Sequence, residues 1–401
     1  MKLHHWSAAV AAVVLAVVPM RLLAQDELVL GAPIPITGPF ASDGQAMQQA
    51  IELAVDQIND GGGLLGRPVR MEVFDIGDLT PDKLLAAGTS LVDQAGAAVL
   101  INGYGGMGPD IAAFCAYSVP YINNNATSNV VQLRNDMGCG NIFMGSDVDL
   151  SYARQSFAQI NALGHAFSNK TIAIFHGPYD WELNTAEGFR QAAAEAGWTV
   201  VIDEEIAYDN RVWQGALSQI KTAAPDLVVF EILDTAGTST FIEQFLLDPP
   251  ASSLLYAGYI ASTPAIADMA AKGGAEGVIA MTVSAQLPGA VGDAFVAAWQ
   301  QKFGSAPPLS VGAAIYDEVK MWAAAVAVVG NADDHAAVSA ALRSLDYQGI
   351  SGTYRFNSDQ FVPVGDDTVP SQLLQVQDGA LVPVMIGSVA GVPFKRPAWL
   401  P

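Results

Sequence analysis

The sequence predicts an α/β protein with two parallel sheets, each flanked by helices on both faces, and three observations lead there. Short apolar runs alternate with helical stretches from Leu28 to about Val283 without a break in composition. The runs number about nine, more than one doubly wound half usually needs, so two sheets are the economical arrangement. Several runs stop at clusters of small or polar residues, as buried parallel strands do at the carboxyl edge of an open sheet, where ligands of such folds sit. With 401 residues and 51% hydrophobic content, the chain can bury two separate cores.

The elements follow in order. Leu28 to Ile36 is an apolar, β-rich run ending at Thr37-Gly38-Pro39-Phe40. From Asp43 to Asn59, Met47, Ile51, Ala54, Val55 and Ile58 fall three and four apart on one helical face. Gly61-Gly62-Gly63 stops that helix, and Arg70 to Ile76 is the next strand. Pro81 starts a helix expected to run to about Gln94, because proline is tolerated in a first turn. Val99 to Asn102 then leads into Gly103-Tyr104-Gly105-Gly106-Met107-Gly108, a short helix from Pro109 to Ser118, and a strand ending at Asn123-Asn124-Asn125. Further strands are expected at Thr171 to His176, Thr199 to Ile206, Leu227 to Leu233, Leu254 to Ile260 and Gly277 to Val283. Beyond Pro288 come helices at Ala290 to Phe303, Val311 to Val329 and His335 to Ser344, then a hairpin-like region from Thr353 to Pro363 and strand-like residues from Leu373 to Ile386.

The N-terminus carries Lys2, His4 and His5 ahead of an uncharged apolar run from Ala8 to Met20, with a small residue, Ala24, before Gln25. That run is short for a bilayer span and reads as a secretory signal peptide over residues 1–24. The formal charge of −22 repels nucleic acid and anionic lipid, which argues against both as partners. The only two cysteines, Cys115 and Cys139, lie close together in a chain expected to meet an oxidising compartment. A disulfide and a pair of separate thiols, one in a helix and one in a loop, are both compatible with that spacing.

Gly103, Gly105 and Gly108 match the Gly-x-Gly-x-x-Gly dinucleotide fingerprint between a strand and a helix. The acidic residue that should follow about 20 positions on is replaced by Asn123, Asn124 and Asn125, so no cofactor is expected. What the loop retains is backbone N–H groups before a helix start, suited to an electron-rich ligand group. Asp147-Val148-Asp149-Leu150-Ser151 begins like a calcium loop, but Tyr152 stands where glycine is required and Ala158 where the terminal glutamate belongs. No nucleophile elbow, Walker loop or His-Glu-x-x-His occurs, and His165, His176 and His335 are far apart.

Together these residues carry a resemblance to the periplasmic solute-binding proteins of branched-chain amino acid ABC importers. It rests on Ile36-Thr37-Gly38-Pro39 with Gly44, Asp56-Gln57-Ile58-Asn59, the turn from Gly61 to Val69, Val119-Pro120, Tyr179 before a helix, Gly274-Ala275-Glu276-Gly277-Val278 and Ala314-Ile315-Tyr316-Asp317. The resemblance implies the type I periplasmic binding fold, two Rossmann-like lobes joined by three hinge crossings near Gly145, Thr282 and Leu345. The first lobe would take residues 27–145 and 283–345, the second 146–282 and 346–390, with 391–401 as a tail. By the same resemblance the ligand's carboxylate would meet Tyr104, Gly105 and Gly106 after the third strand, and Asn125 with Thr127 after the fourth.

Departures from the family pattern shape the expected ligand. Tyr104, Gly105, Gly106 and Met107 stand where relatives carry hydroxyl side chains, and Tyr259 stands nearest the second-lobe acid that pairs with an ammonium group. Glu231 and Asp234, at the end of another second-lobe strand, are candidate replacement acids; equally, Glu231 reads as a buried, hydrogen-bonded structural acid and Asp234, just before a helical run, as a helix cap. Tyr179 and Trp181 stand at the mouth, and Asp43 reaches in from the first lobe. Aromatic walls favour a flat, apolar or cationic solute. The expected function is capture of a small organic solute, an amino acid, amide or aromatic acid, and delivery to an ABC transporter permease from the periplasm, by a monomer without enzymatic activity. A ligand sensor of the same fold and a secreted α/β enzyme are the alternatives.

Overall fold

The computed structural model describes residues 27–38, 40–104, 108–124 and 127–400. The signal region and three expected site residues, Gly105, Gly106 and Asn125, lie outside the described residues.

Strand β1 (Leu28–Ile34) leads into α1 (Ala41–Asp60), β2 (Val69–Asp75) and α2 (Pro81–Gly88). The helix expected to reach Gln94 does so, with its last part, Thr89–Gln94, widened to π geometry. Next come β3 (Ala97–Asn102), α3 (Pro109–Phe114), β4 (Tyr121–Asn123), α4 (Ser128–Met137) and β5 (Ile142–Met144). These strands form a five-stranded sheet in the order β2-β1-β3-β4-β5, parallel throughout. All seven residues of β1 are buried, because helices cover both faces of the sheet.

The chain then builds a second sheet. Its first part runs α5 (Asp149–Ala162), β6 (Thr171–His176), α6 (Asp180–Glu195), β7 (Thr199–Glu205), α7 (Gln214–Ala223) and β8 (Leu227–Glu231). It continues with α8 (Thr235–Leu247), β9 (Leu254–Ala257), a 3₁₀ turn over Tyr259–Ser262, α9 (Ala265–Ala271) and β10 (Ile279–Thr282). Helices α10 (Ala290–Phe303), α11 (Val311–Val329) and α12 (His335–Ser344) return to the first lobe, where Trp299, Trp322 and Val338 share a core with Leu30, Met47 and Val99. After the short strands β11 (Tyr347–Gln348) and β12 (Thr353–Tyr354), β13 (Gln372–Gln377), β14 (Ala380–Ile386) and β15 (Val389–Ala390) complete an eight-stranded sheet ordered β15-β14-β13-β10-β9-β8-β6-β7. The last three strands are antiparallel to the rest of their neighbours.

Two expectations are corrected. The hairpin pairs Tyr347–Gln348 with Thr353–Tyr354, so it begins before Thr353 and ends well before Pro363. The third passage between sheets comes at about Ser371–Gln372, not at Leu345. Residues 350–369 stay with the first lobe because Ile350, Tyr354, Phe356, Val362 and Val369 enter its core. Buried Asp317 of α11 fastens the start of this segment by accepting from the Ile350 and Ser351 N–H groups at 2.8 and 3.0 Å. Cys115 and Cys139, which follow α3 and α4, are joined as a disulfide with their Cα atoms 5.2 Å apart.

At the first crossing, Asp147 and Asp149 serve the backbone. Asp147 accepts from Val364 N–H at 2.7 Å, and Asp149 accepts from the backbone N–H and the hydroxyl of Ser128 at 3.1 and 2.8 Å. Asp149 thereby caps α4 from the start of α5, a carboxylate at a helix N-terminus supplied by the other lobe. The glycine position of a calcium loop is filled by buried Tyr152.

Candidate ligand-binding site

Between the carboxyl edges of the two sheets lies a cavity of about 440 Å³, within the usual range for a small-molecule site. Its wall includes Phe40, Tyr104, Tyr152, Tyr179, Trp181 and Tyr259, with Asn124, Ser146 and Ser310 among the polar members. Among the described residues no lysine, arginine or histidine lines it.

Each aromatic side chain is placed by its element. Tyr104 follows β3 after Gly103, and its N–H donates to the Asn102 side-chain oxygen at 3.1 Å, which turns the chain at the strand end. Tyr179 precedes α6, its N–H bonded to buried Glu182 at 2.9 Å, and its half-exposed ring packs edge-on against Tyr208 with centroids 5.0 Å apart. Two residues on, in the first turn of that helix, the Trp181 indole N–H donates to the Tyr152 hydroxyl. Tyr259 opens the 3₁₀ turn after β9, and its ring meets Trp181 edge-to-face at 5.6 Å and 70°. Phe40 meets Tyr104 similarly at 5.8 Å and 76°. Edge-to-face contacts of this kind hold rings in fixed orientations.

Asp43 lies in the first turn of α1 and is 5% exposed. It does not line the cavity. It sits behind the wall, where its Oδ2 accepts the Tyr104 hydroxyl at 2.6 Å and the Tyr259 hydroxyl at 3.0 Å. The next residue, Gly44, lets the start of α1 lie against the chain after β1: a Cβ there would stand 1.9 Å from the Pro35 carbonyl oxygen. Burial raises the Asp43 pKa, opposed by the hydrogen bonds from Tyr104 and Tyr259. Burial and the neighbouring carboxylate push both phenols well above their ordinary value, so they remain donors to Asp43.

The remaining expected residues sit away from the wall. Thr127 is the N-cap of α4, its hydroxyl accepting from Val130 N–H at 3.3 Å. Asp234 caps α8 by accepting from Gly237 N–H at 3.0 Å and is paired with Arg211 at 2.6 Å. Of its two readings, the cap is the one its contacts describe. Glu231, at the end of β8, is buried under Gly258, where a Cβ would stand 2.0 Å from the Glu231 Oε2. Burial drives its pKa up to about 8, and among the described residues its Oε2 has no hydrogen-bond partner.

Sequence reasoning missed Phe40, Tyr152, Ser310 and Val311 as wall residues. Ser310 carried a weak signal, standing just before the apolar run of α11; its φ of 58° is a left-handed conformation unusual for serine. In the sequence, Tyr152 stands out only as the residue at the glycine position of a calcium loop.

The family model for periplasmic binding proteins matches residues 27–380. The chain belongs to the periplasmic binding protein family. A solved structure from Silicibacter pomeroyi, assigned to branched-chain amino acid ABC transport, superposes with a TM-score of 0.83 at 27% identity, covering 94% of this chain and all of that one. A solute-binding protein from Rhodopseudomonas palustris BisB5 in complex with 3,4-dihydroxybenzoic acid shares the fold with a TM-score of 0.73 at 21% identity, covering 93% of this chain and 99% of that one. By sequence, Leu/Ile/Val-binding protein BraC3 of Rhizobium johnstonii is 23% identical over 217 residues, 52% of this chain and 55% of BraC3. The chain spans about half the length of the curated relatives it matches. The two lobes, parallel sheets flanked by helices and passages between them place the chain in the type I periplasmic binding fold.

Proposed function

We propose that the protein is an exported, periplasmic solute-binding component of an ABC importer, which closes its two lobes over one small organic solute and presents it to a membrane permease without chemical turnover. The observation that carries this reading is the aromatic cavity walled from both lobes, by Tyr104 on one side and by Trp181 and Tyr259 on the other. A site divided between lobes encloses a ligand only when they close, which couples capture to the shape a permease can read.

The solute class that fits the wall is an amino acid, an amide or an aromatic acid with a flat or apolar body. The ligands named for family members span that range, from Leu/Ile/Val to 3,4-dihydroxybenzoic acid. The aromatic rings would sandwich the apolar body, and hydroxyl and backbone groups near Asn124, Ser146 and Ser310 would meet its polar end. A monomer suffices, since one chain supplies both walls.

A thermal-shift screen of the mature protein against amino acids, amides, aromatic acids and polyols tests this directly. Saturable stabilisation by one of the first three classes, with the compound recovered unchanged, is expected. No shift across the panel, or conversion of a panel compound into product, contradicts it.

A further inference from the structure

We propose that Asp43 is a positioning residue that latches the lobes together, and not a group that touches the solute. This rests on the reading that the lobes open and close around a solute. Asp43 and Tyr104 belong to the first lobe and Tyr259 to the second, yet both hydroxyls converge on one oxygen, Asp43 Oδ2, at 2.6 and 3.0 Å. Opening the cleft carries Tyr259 away. Asp43 then keeps Tyr104 and a long contact of 3.4 Å from the Ser42 hydroxyl, and water takes the place of the Tyr259 hydroxyl on Oδ2, so closure is favoured by the margin of that hydroxyl over water.

The latch also shapes the wall. Tyr104 and Tyr259 present their rings to the cavity while their hydroxyls are tied behind it, so one carboxylate sets the spacing of two facing rings drawn from different lobes. Trp181 and Phe40 lean edge-on against those rings and take their positions from them. A second polar contact between lobes, Asn129 Nδ2 to Asp180 Oδ2 at 2.7 Å, lies in exposed surroundings where water competes for both partners. Asp149 and Ser128 also join the lobes, but at the first crossing; across the cleft itself, the buried Asp43 contact is the one placed to bias closure. Losing a hydrogen bond to a charged group is expected to shift the closed-to-open ratio roughly tenfold.

The test needs no solute, so its outcome is independent of whether the screening panel contains the right compound. Dyes are placed on Asp82→Cys and Lys272→Cys, exposed positions in opposite lobes, the native cysteines being tied up in their disulfide. Energy transfer and thermal unfolding are then measured in the otherwise unaltered background, in Asp43→Ala, in Tyr259→Phe and in the double variant. The latch predicts that each single change lowers the closed-to-open ratio about tenfold, and that the double variant loses less than the two single losses combined. Asp43→Asn, which keeps an acceptor oxygen, is expected to fall between wild type and Asp43→Ala. Additive unfolding losses, or one transfer efficiency in all the proteins, overturn the proposal.

Discussion

The starts of helices α1 and α8 look alike in sequence and act differently in the fold. Each follows a strand that ends at the cleft, and each carries an aspartate with buried neighbours, Asp43 in one and Asp234 in the other. Asp234 spends its oxygens within its own lobe, on the Gly237 N–H and on Arg211. Burial works against its charge, but the Arg211 and Gly237 contacts prevail and hold its pKa below the usual carboxylate value. Among the described residues Asp43 has no basic partner within ion-pairing distance; its principal partners are two phenols, one from each lobe. A carboxylate whose partners are local stabilises its helix, whereas one whose partners straddle a hinge biases a conformational equilibrium.

Glu231 sharpens the contrast, because it has burial without a strong partner. Its folded pKa of about 8 exceeds the ordinary value of 4.5, so the folded state binds the proton more tightly than the unfolded chain. Stability from this group is fully present at low pH and is lost as the pH rises through about 8, by an amount on the order of 5 kcal/mol. Unfolding measured from pH 5 to 9 should show that decline in wild type and a much flatter profile in Glu231→Gln. An unchanged slope would mean that the carboxyl is ionised and solvated throughout.

For the two aspartates the expected effects differ in kind. Asp43→Ala should weaken binding of the best panel compound about tenfold, mainly through faster dissociation, because closure loses its buried hydrogen bond. Stopped-flow measurements of both rate constants would check this. Asp234→Ala should leave affinity unchanged and reduce stability by about 1 kcal/mol, the usual value of a helix N-cap. Chemical denaturation and calorimetric titration separate these outcomes, and a loss of affinity in Asp234→Ala would break the comparison.

Much of the frame was legible in the chain because it depends on local pattern. Fully apolar runs such as Leu227 to Phe230 are buried on both faces, and Met47, Ile51 and Ala54 form one inward stripe of α1. The capping role of Asp234 was also readable, since a cap needs only the residues that follow it. Less could be read where partners are remote. Ile350, Tyr354 and Phe356 would suit either core, and only the contacts of Asp317 across more than thirty positions assign them to the first lobe. The Asp43 to Tyr259 contact joins residues 216 positions apart, and no periodicity marks such a pair. Aromatic character near the cleft could be anticipated from Tyr104, Tyr179, Trp181 and Tyr259, but Tyr152 joins them only because the indole of Trp181 reaches across from the next helix.

On the proposed reading, the solute binds in the aromatic cavity between the lobes. Calorimetric titration of wild type, Trp181→Ala and Tyr104→Ala with the panel compound giving the largest thermal shift tests it most directly. One site per chain is predicted in wild type, with affinity reduced roughly tenfold or more in each variant. Equal affinity in all three proteins would place the site elsewhere and contradict the account.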